Sequence, residues 1–308
     1  MIQNRDASGE YPDCLISYLG FENYINDYSD DYAIYYGYRT PFNNEILRAT
    51  ADVPNKIFWQ AEHPSGLHTT NHAANLQHMN IATPFDVAYT NCPYTCDWLN
   101  KYQYKEEKYK KWSFFYDEKW AVQGTPEKKY DVIYWGGVHS KLIAQVINTI
   151  SKFNYNFCSL SQHSKATHIN LPRPQMWELL RSSKIMVIQN MLFGGPNDIA
   201  AVKRLPNWKK NEAFKHIDTG LIPQIKTRAI EAAFNKTLML VRKDPWNTLA
   251  MWFEPDVDFI YYENEAKLED KIQDILNNWD QYQTMIENAY NKAMGKYTTK
   301  NFLKKVCK

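Results

Sequence analysis

No run of apolar residues in this chain of 308 residues reaches the roughly 18 needed to span a bilayer. The N-terminus, Met1-Ile2-Gln3-Asn4-Arg5-Asp6, is polar. The sequence thus predicts no signal peptide, no integral membrane segment and a soluble, cytoplasmic protein. An excess of charge is also missing: 36 basic residues face 34 acidic ones, a formal charge of +2. That balance excludes the electrostatic footprint of a nucleic-acid or anionic-membrane binder. Cysteines are few, odd in number and scattered, at Cys14, Cys92, Cys96, Cys158 and Cys307. They argue for free thiols in a reducing compartment rather than a disulfide framework. Cys92 and Cys96 lack the two-residue spacing of a zinc knuckle or redox motif and have no second pair, so both read as structural. Neither a G-x-S-x-G elbow nor a G-x-G-x-x-G turn occurs, which sets aside an α/β hydrolase and a dinucleotide dehydrogenase.

Four histidines, His63, His68, His72 and His78, fall close together, but their spacing is loose and no cysteine accompanies them. No metal site is expected there. Apolar residues make up 44% of the chain, ample for two cores of ordinary size. The 10 tryptophans and 22 tyrosines suit sugar- or base-binding clefts, and equally fill cores.

Short apolar runs alternate with helical patterns throughout, the rhythm of α/β units. In the first part the candidate strands are Cys14–Leu19, Ala33–Tyr38, Lys56–Gln60 and Val87–Thr90. Helices are expected near Phe21–Tyr28, Asn43–Ala51 and Cys92–Tyr102, and the Lys- and Tyr-rich segment Lys101–Lys111, with Glu106 and Glu107 inside it, reads as solvated surface. Gly124-Thr125-Pro126-Glu127-Lys128-Lys129 has turn formers and charges without a large apolar residue, and divides the chain into domains at 1–125 and 130–308. Beyond it come a strand Tyr130–Trp135, a helix of about four turns from Lys141 to Phe153, a strand Asn156–Leu160, a helix from Pro174 to Ser183 and a strand Ile185–Met191. A long irregular stretch from Phe193 to Gly220 follows, of a length often tied to function. A helix near Pro223, strands Thr237–Val241 and Phe259–Tyr262, and a mainly helical Ala266–Met294 complete the pattern.

Two such domains predict a cleft facing the C-terminal ends of both sheets, where open parallel sheets bind ligands. Strand Tyr130–Trp135 runs into Gly136-Gly137-Val138-His139-Ser140, whose glycines let backbone N–H groups approach a diphosphate or simply make a tight turn. The run from Ile222 to Phe234 is expected to open a helix at Pro223. Lys226 and Arg228 near such an N-terminus repel its partial positive charge unless an anion is present. A phosphate would relieve that repulsion, with Glu231 accepting from a ribose hydroxyl. The alternative is a solvated helix face with one Arg228–Glu231 pair. Glu62 and His63 follow the strand Lys56–Gln60, where a general base would be presented to the cleft. A histidine anchoring its own loop reads as easily.

The run Pro223-Gln224-Ile225-Lys226-Thr227-Arg228-Ala229-Ile230-Glu231-Ala232, followed by Lys236-Thr237-Leu238-Met239-Leu240, resembles the donor-site helix and strand of GT-B glycosyltransferases, specifically the group-1-like enzymes with an R-x-x-E-A helix. Trp252-Phe253-Glu254-Pro255-Asp256-Val257-Asp258 and the strand after it resemble the family's F-x-P-G-x-D/E segment, and the tail ending Lys296-Tyr297-Thr298-Thr299-Lys300-Asn301-Phe302 fits as well. The resemblance covers about residues 130–302. It implies two Rossmann-like domains facing across a cleft, with a nucleoside-diphosphate sugar as co-substrate and no other cofactor. The C-terminal domain would hold the donor, the N-terminal one a glycan or other hydroxyl acceptor, and the last helix would cross back to the latter. Donor contacts would come from Gly136, Gly137, His139, Ser140, Gln224, Lys226, Thr227, Arg228 and Glu231, with Glu62 or His63 as base. The chain departs from the family at Pro223, where many members carry a second glutamate for the donor sugar, and at Asp256-Val257, where glycine is common. Retaining and inverting chemistry both stay open. A non-catalytic nucleotide- or sugar-binding protein on the same scaffold is the competing class.

Overall fold

The computed structural model describes residues 18–37, 48, 51–60 and 79–307. In chain order the strands are β1 (Tyr32–Gly37), β2 (Asn55–Gln60), β3 (Val87–Thr90), β4 (Tyr109–Lys111), β5 (Tyr130–Trp135), β6 (Tyr155–Ser159), β7 (His168–Ile169), β8 (Ser183–Ile188), β9 (Met191–Phe193), β10 (Leu221–Pro223), β11 (Leu238–Arg242) and β12 (Ile260–Tyr262). The α-helices are α1 (Pro93–Trp98), α2 (Lys141–Ile150), α3 (Arg173–Arg181), α4 (Pro196–Lys203), α5 (Arg228–Phe234), α6 (Leu268–Asn277), α7 (Gln283–Lys296) and α8 (Thr299–Val306). Among the described residues no helix is long and apolar enough to cross a membrane.

The chain forms two compact units. The first takes the described residues up to Asp117, then Met191–Ile225, and ends with the segment holding α8; the second is Glu118–Asn190 with Lys226–Thr298. This division differs from a single break at Gly124–Lys129, because the chain passes between units again after Asn190, Ile225 and Thr298. The physical reason lies in the stretch Phe193–Gly220, which the sequence shows as irregular. It folds as an antiparallel β9–β10 ribbon, α4 and short 3-10 turns. Val202, Leu205, Phe214, Ile217 and Ile222 carry it into the core of the first unit, with Tyr35, Phe58, Phe85 and Ala88. Gly220, at φ 76°, closes the ribbon where a side chain would strike the Gly194 carbonyl.

The first unit is built on a parallel sheet of order β1-β2-β3-β4. Ile57–Gln60 of β2 and Ala88–Thr90 of β3 are buried without alternation, as strands covered on both faces require. α8 adds Phe302, stacked on Phe115 at 4.3 Å between ring centroids. Of the expected strand Cys14–Leu19, Tyr18 and Leu19 are helical, and the rest lies outside the described residues, as does most of the expected helix Asn43–Ala51.

The second unit holds a parallel sheet of order β12-β11-β8-β5-β6-β7. Counted within the unit, that is the doubly wound Rossmann order, which reverses between its first strand, β5, and its fourth, β8. Ile143, Val146, Ile147 and Ile150 of α2 recur at helical spacing and pack with Val132, Tyr134, Ile185 and Val187.

Candidate functional site

The site is assembled in the second unit, at the carboxyl ends of β5 and β8. Gly136 follows β5 at φ 138°, a conformation that side chains resist. A methyl group built on Gly136 would overlap the Arg228 guanidinium, and one on Gly137 would overlap the His139 ring. The two glycines therefore give Arg228 and His139 their room. Ser140 caps α2, its Oγ accepting from the Ile143 N–H at 3.2 Å, so the turn between β5 and α2 is fixed by its own residues.

Arg228 opens α5 and lies over two rings, its Cζ 5.5 Å from the centroid of Tyr134 and 5.6 Å from that of Trp135. Arg173, the first residue of α3, lies over Trp135 as well, at 4.9 Å. Burial raises the Tyr134 hydroxyl pKa, against a lowering influence of Arg228. The buried Arg228 Nη1 finds no hydrogen-bond partner among the described residues. Lys226 is partly exposed, yet burial of its ammonium, and then the charge of Arg228, push its pKa well below the ordinary 10.5. Glu231 is fully buried and pairs with Arg173, not with Arg228. Arg228 and Arg173 thus meet over the Trp135 ring with Lys226 close to Arg228, and such a gathering of basic groups suits an anion.

Several expectations change here. Pro223 does not start a helix: it ends β10, opposite Met191 of β9. The helix begins five residues later at Arg228, with Thr227 as an N-cap whose side chain makes no capping bond. At seven residues α5 is too short to supply an N-terminal anion site, so the field at Arg228 comes from side chains. Gln224 belongs to the first unit and is separated by the unit boundary from Lys226. Glu62, His63 and the other histidines of 61–78 lie outside the described residues. Among the described residues no group of three or more His, Cys, Asp or Glu could hold a metal ion. Cys92, Cys96, Cys158 and Cys307 are free and buried, and burial raises the pKa of each thiol. Arg173 was missed by sequence reading, since nothing in Leu171-Pro172-Arg173-Pro174 announces its partner 58 residues on.

Residues 161–308 match the family model described as glycosyl transferase-like. A search of curated proteins by sequence finds no match. Among solved structures the chain is similar to TarM, with 13% identity and a TM-score of 0.55 over 92% of this chain and 56% of that one. It is also similar to HepE of Anabaena in complex with UDP and glucose (9%, TM-score 0.56, 90% and 76%). A third is sucrose-phosphate synthase of Thermosynechococcus elongatus (10%, TM-score 0.56, 93% and 73%). The chain spans just over half the length of TarM. These likenesses establish the fold, which is mixed α/β with parallel sheets.

Proposed function

We propose that this chain, whose fold is that of the GT-B glycosyltransferases and whose residues 161–308 match the glycosyl transferase-like family, transfers a sugar from a nucleoside diphosphate to a hydroxyl acceptor. The observation that carries the reading is the Arg228 guanidinium, set against Gly136 at the point where strand order reverses, with Nη1 buried and without a hydrogen-bond partner among the described residues. Nucleotide phosphates bind at that point in sheets of this order. Departure of a nucleoside diphosphate concentrates negative charge on its phosphates, and preorganised cations stabilise such charge most where water is excluded. Lys226 and Arg228 supply that compensation without a metal ion. A diphosphate beside Lys226 restores the protonated form that burial disfavours, so binding takes up a proton and weakens as pH rises through the lowered pKa. The Gly136 N–H is engaged by the Cys158 carbonyl at 3.0 Å, which leaves that of Gly137 to approach a phosphate, and Glu231 holds Arg173 in place.

The acceptor is a glycan or another hydroxyl compound, with Glu62 or His63 as base in an inverting reaction. Loss of turnover in His63→Ala or Glu62→Gln with donor affinity retained supports that role; near-normal turnover in both removes it. A panel of nucleotide-sugars tests the main reading by thermal stabilisation, because ligands specific to the folded state raise its apparent stability. At least one is expected to stabilise the chain and to be slowly hydrolysed. Stabilisation without any hydrolysis or transfer favours a binding protein, and no stabilisation refutes the reading.

A further inference from the structure

Asn190 follows β8 at the same reversal of strand order. The pairing of Val132 with Ile185 and Ile133 with Met186 fixes the register of β5 against β8. Continued residue for residue, that register brings Gly136 level with Gln189 and Gly137 level with Asn190. Neighbouring strands run about 4.8 Å apart, so Asn190 starts beside the glycine turn that accommodates Arg228. Asn190 is fully buried, and neither its Oδ1 nor its Nδ2 has a hydrogen-bond partner among the described residues. Gln189 next to it behaves otherwise, its Nε2 donating to the Tyr262 hydroxyl at 3.4 Å and to Glu265 at 3.3 Å. A buried amide orphaned at both ends weakens the fold, and such exceptions call for a reason other than stability.

We infer that the Asn190 amide binds the hydroxyls of a sugar ring attached to the diphosphate, an assignment that rests on the nucleotide-sugar reading above. The amide presents an acceptor beside two donors, and neighbouring ring hydroxyls both donate and accept, so the two satisfy each other. The side chain is neutral and adds nothing to the attraction for phosphate. It distinguishes a diphosphate that carries a ring from one that does not. Ribose and the transferred sugar share this chemistry.

Titration of the full chain and its Asn190→Ala variant with inorganic pyrophosphate, with UDP, GDP and ADP, and with their glucose conjugates separates the possibilities. Asn190→Ala is expected to leave pyrophosphate affinity unchanged and to weaken ring-bearing ligands roughly five- to twentyfold, the worth of one or two neutral hydrogen bonds. A loss already present with a nucleoside diphosphate assigns ribose; a loss confined to the glucose conjugate assigns the transferred sugar. The melting temperature of the free variant is expected to match or exceed that of the original chain, since no protein hydrogen bond is lost. A lower melting temperature with every affinity unchanged makes the amide structural and overturns the inference, as does an equal loss for pyrophosphate and ring-bearing ligands. Asn190→Ser gives the same comparison if the alanine variant fails to fold. Wild-type binding of none of these probes overturns the nucleotide-sugar reading and this inference together, whereas wild-type binding untouched by Asn190→Ala overturns this inference alone.

Discussion

The two parallel sheets end differently. In the first unit the carboxyl ends of β2 and β3 carry neutral groups, Gln60, Thr90 and Asn91, all fully buried. The Tyr109 hydroxyl donates to Gln60 Oε1 at 2.7 Å, and Lys111 at the end of β4 is matched by Asp97 at 2.8 Å. In the second unit, Lys226, Arg228 and Arg173 gather in the corresponding region, where Arg173 pairs with Glu231. Among the described residues, similar backbones thus present neutral and paired groups at one edge and a gathering of basic groups at the other. Surplus charge held in a partly desolvated place destabilises the free protein and is retained where an anion is to be bound. The contrast between the two edges lies in side chains, not in the backbone.

Removing Glu231 sharpens the contrast most. Glu231→Ala removes a buried partner of Arg173, and breaking a buried pair costs about 3–5 kcal/mol, to be read as a lower denaturant midpoint. An unchanged midpoint contradicts the assignment of Glu231 as the anchor of Arg173. Gly136→Ala comes next. Its methyl strikes the Arg228 guanidinium in a backbone conformation hostile to side chains, so a loss of about 1–3 kcal/mol is expected together with weaker diphosphate binding by calorimetry. On the neutral edge, Tyr109→Phe removes one hydrogen bond, for about 1 kcal/mol, and leaves nucleotide binding as it was. A loss of nucleotide affinity in Tyr109→Phe breaks the comparison.

The smallest effect is a pH dependence away from both edges. The Lys128 ammonium donates to the carbonyls of Arg181 at 2.8 Å and Lys236 at 2.7 Å. Burial, and then the Lys236 charge, lower its pKa from 10.5 to about 7. Between those values the unfolded chain holds the extra proton, so this group's contribution makes stability rise with pH from about 7 towards 10.5 and stay level below. The slope is at most about 1.4 kcal/mol per pH unit. Unfolding curves of Lys128→Met measured across that range are expected to rise less steeply.

Much of the second unit is legible in its residues. β5 spans Tyr130–Trp135, the bounds expected from its short apolar run, and α2 begins at Lys141 behind the Ser140 cap. Both signals are local. β10 is not legible, because Leu221-Ile222-Pro223 becomes a strand only by pairing with β9 some thirty residues earlier, and a proline that suits a helix start suits a ribbon end equally. The stretch Ala266–Met294 is mainly helical, as expected, with α6 and α7 separated at Asn278 and a 3-10 turn, a division the sequence does not announce. The donor cluster shows the same divide. Lys226 and Arg228 stand out through the family resemblance and an expected helix start at Pro223 that the structure moves to Arg228, whereas Arg173 and Asn190 become visible only through long-range packing and the register of β5 on β8.

The central claim is that the Arg228 cluster binds a nucleoside diphosphate. Calorimetric titration of UDP, GDP and ADP into the chain and into Arg228→Ala, both checked by melting temperature, tests it most directly. A charge-assisted contact of about 1.5–3 kcal/mol corresponds to roughly a ten- to hundredfold change in affinity. The account predicts that loss for at least one of these ligands, with the melting temperature of Arg228→Ala unchanged or raised. Equal affinity of both proteins for every ligand that binds would contradict it.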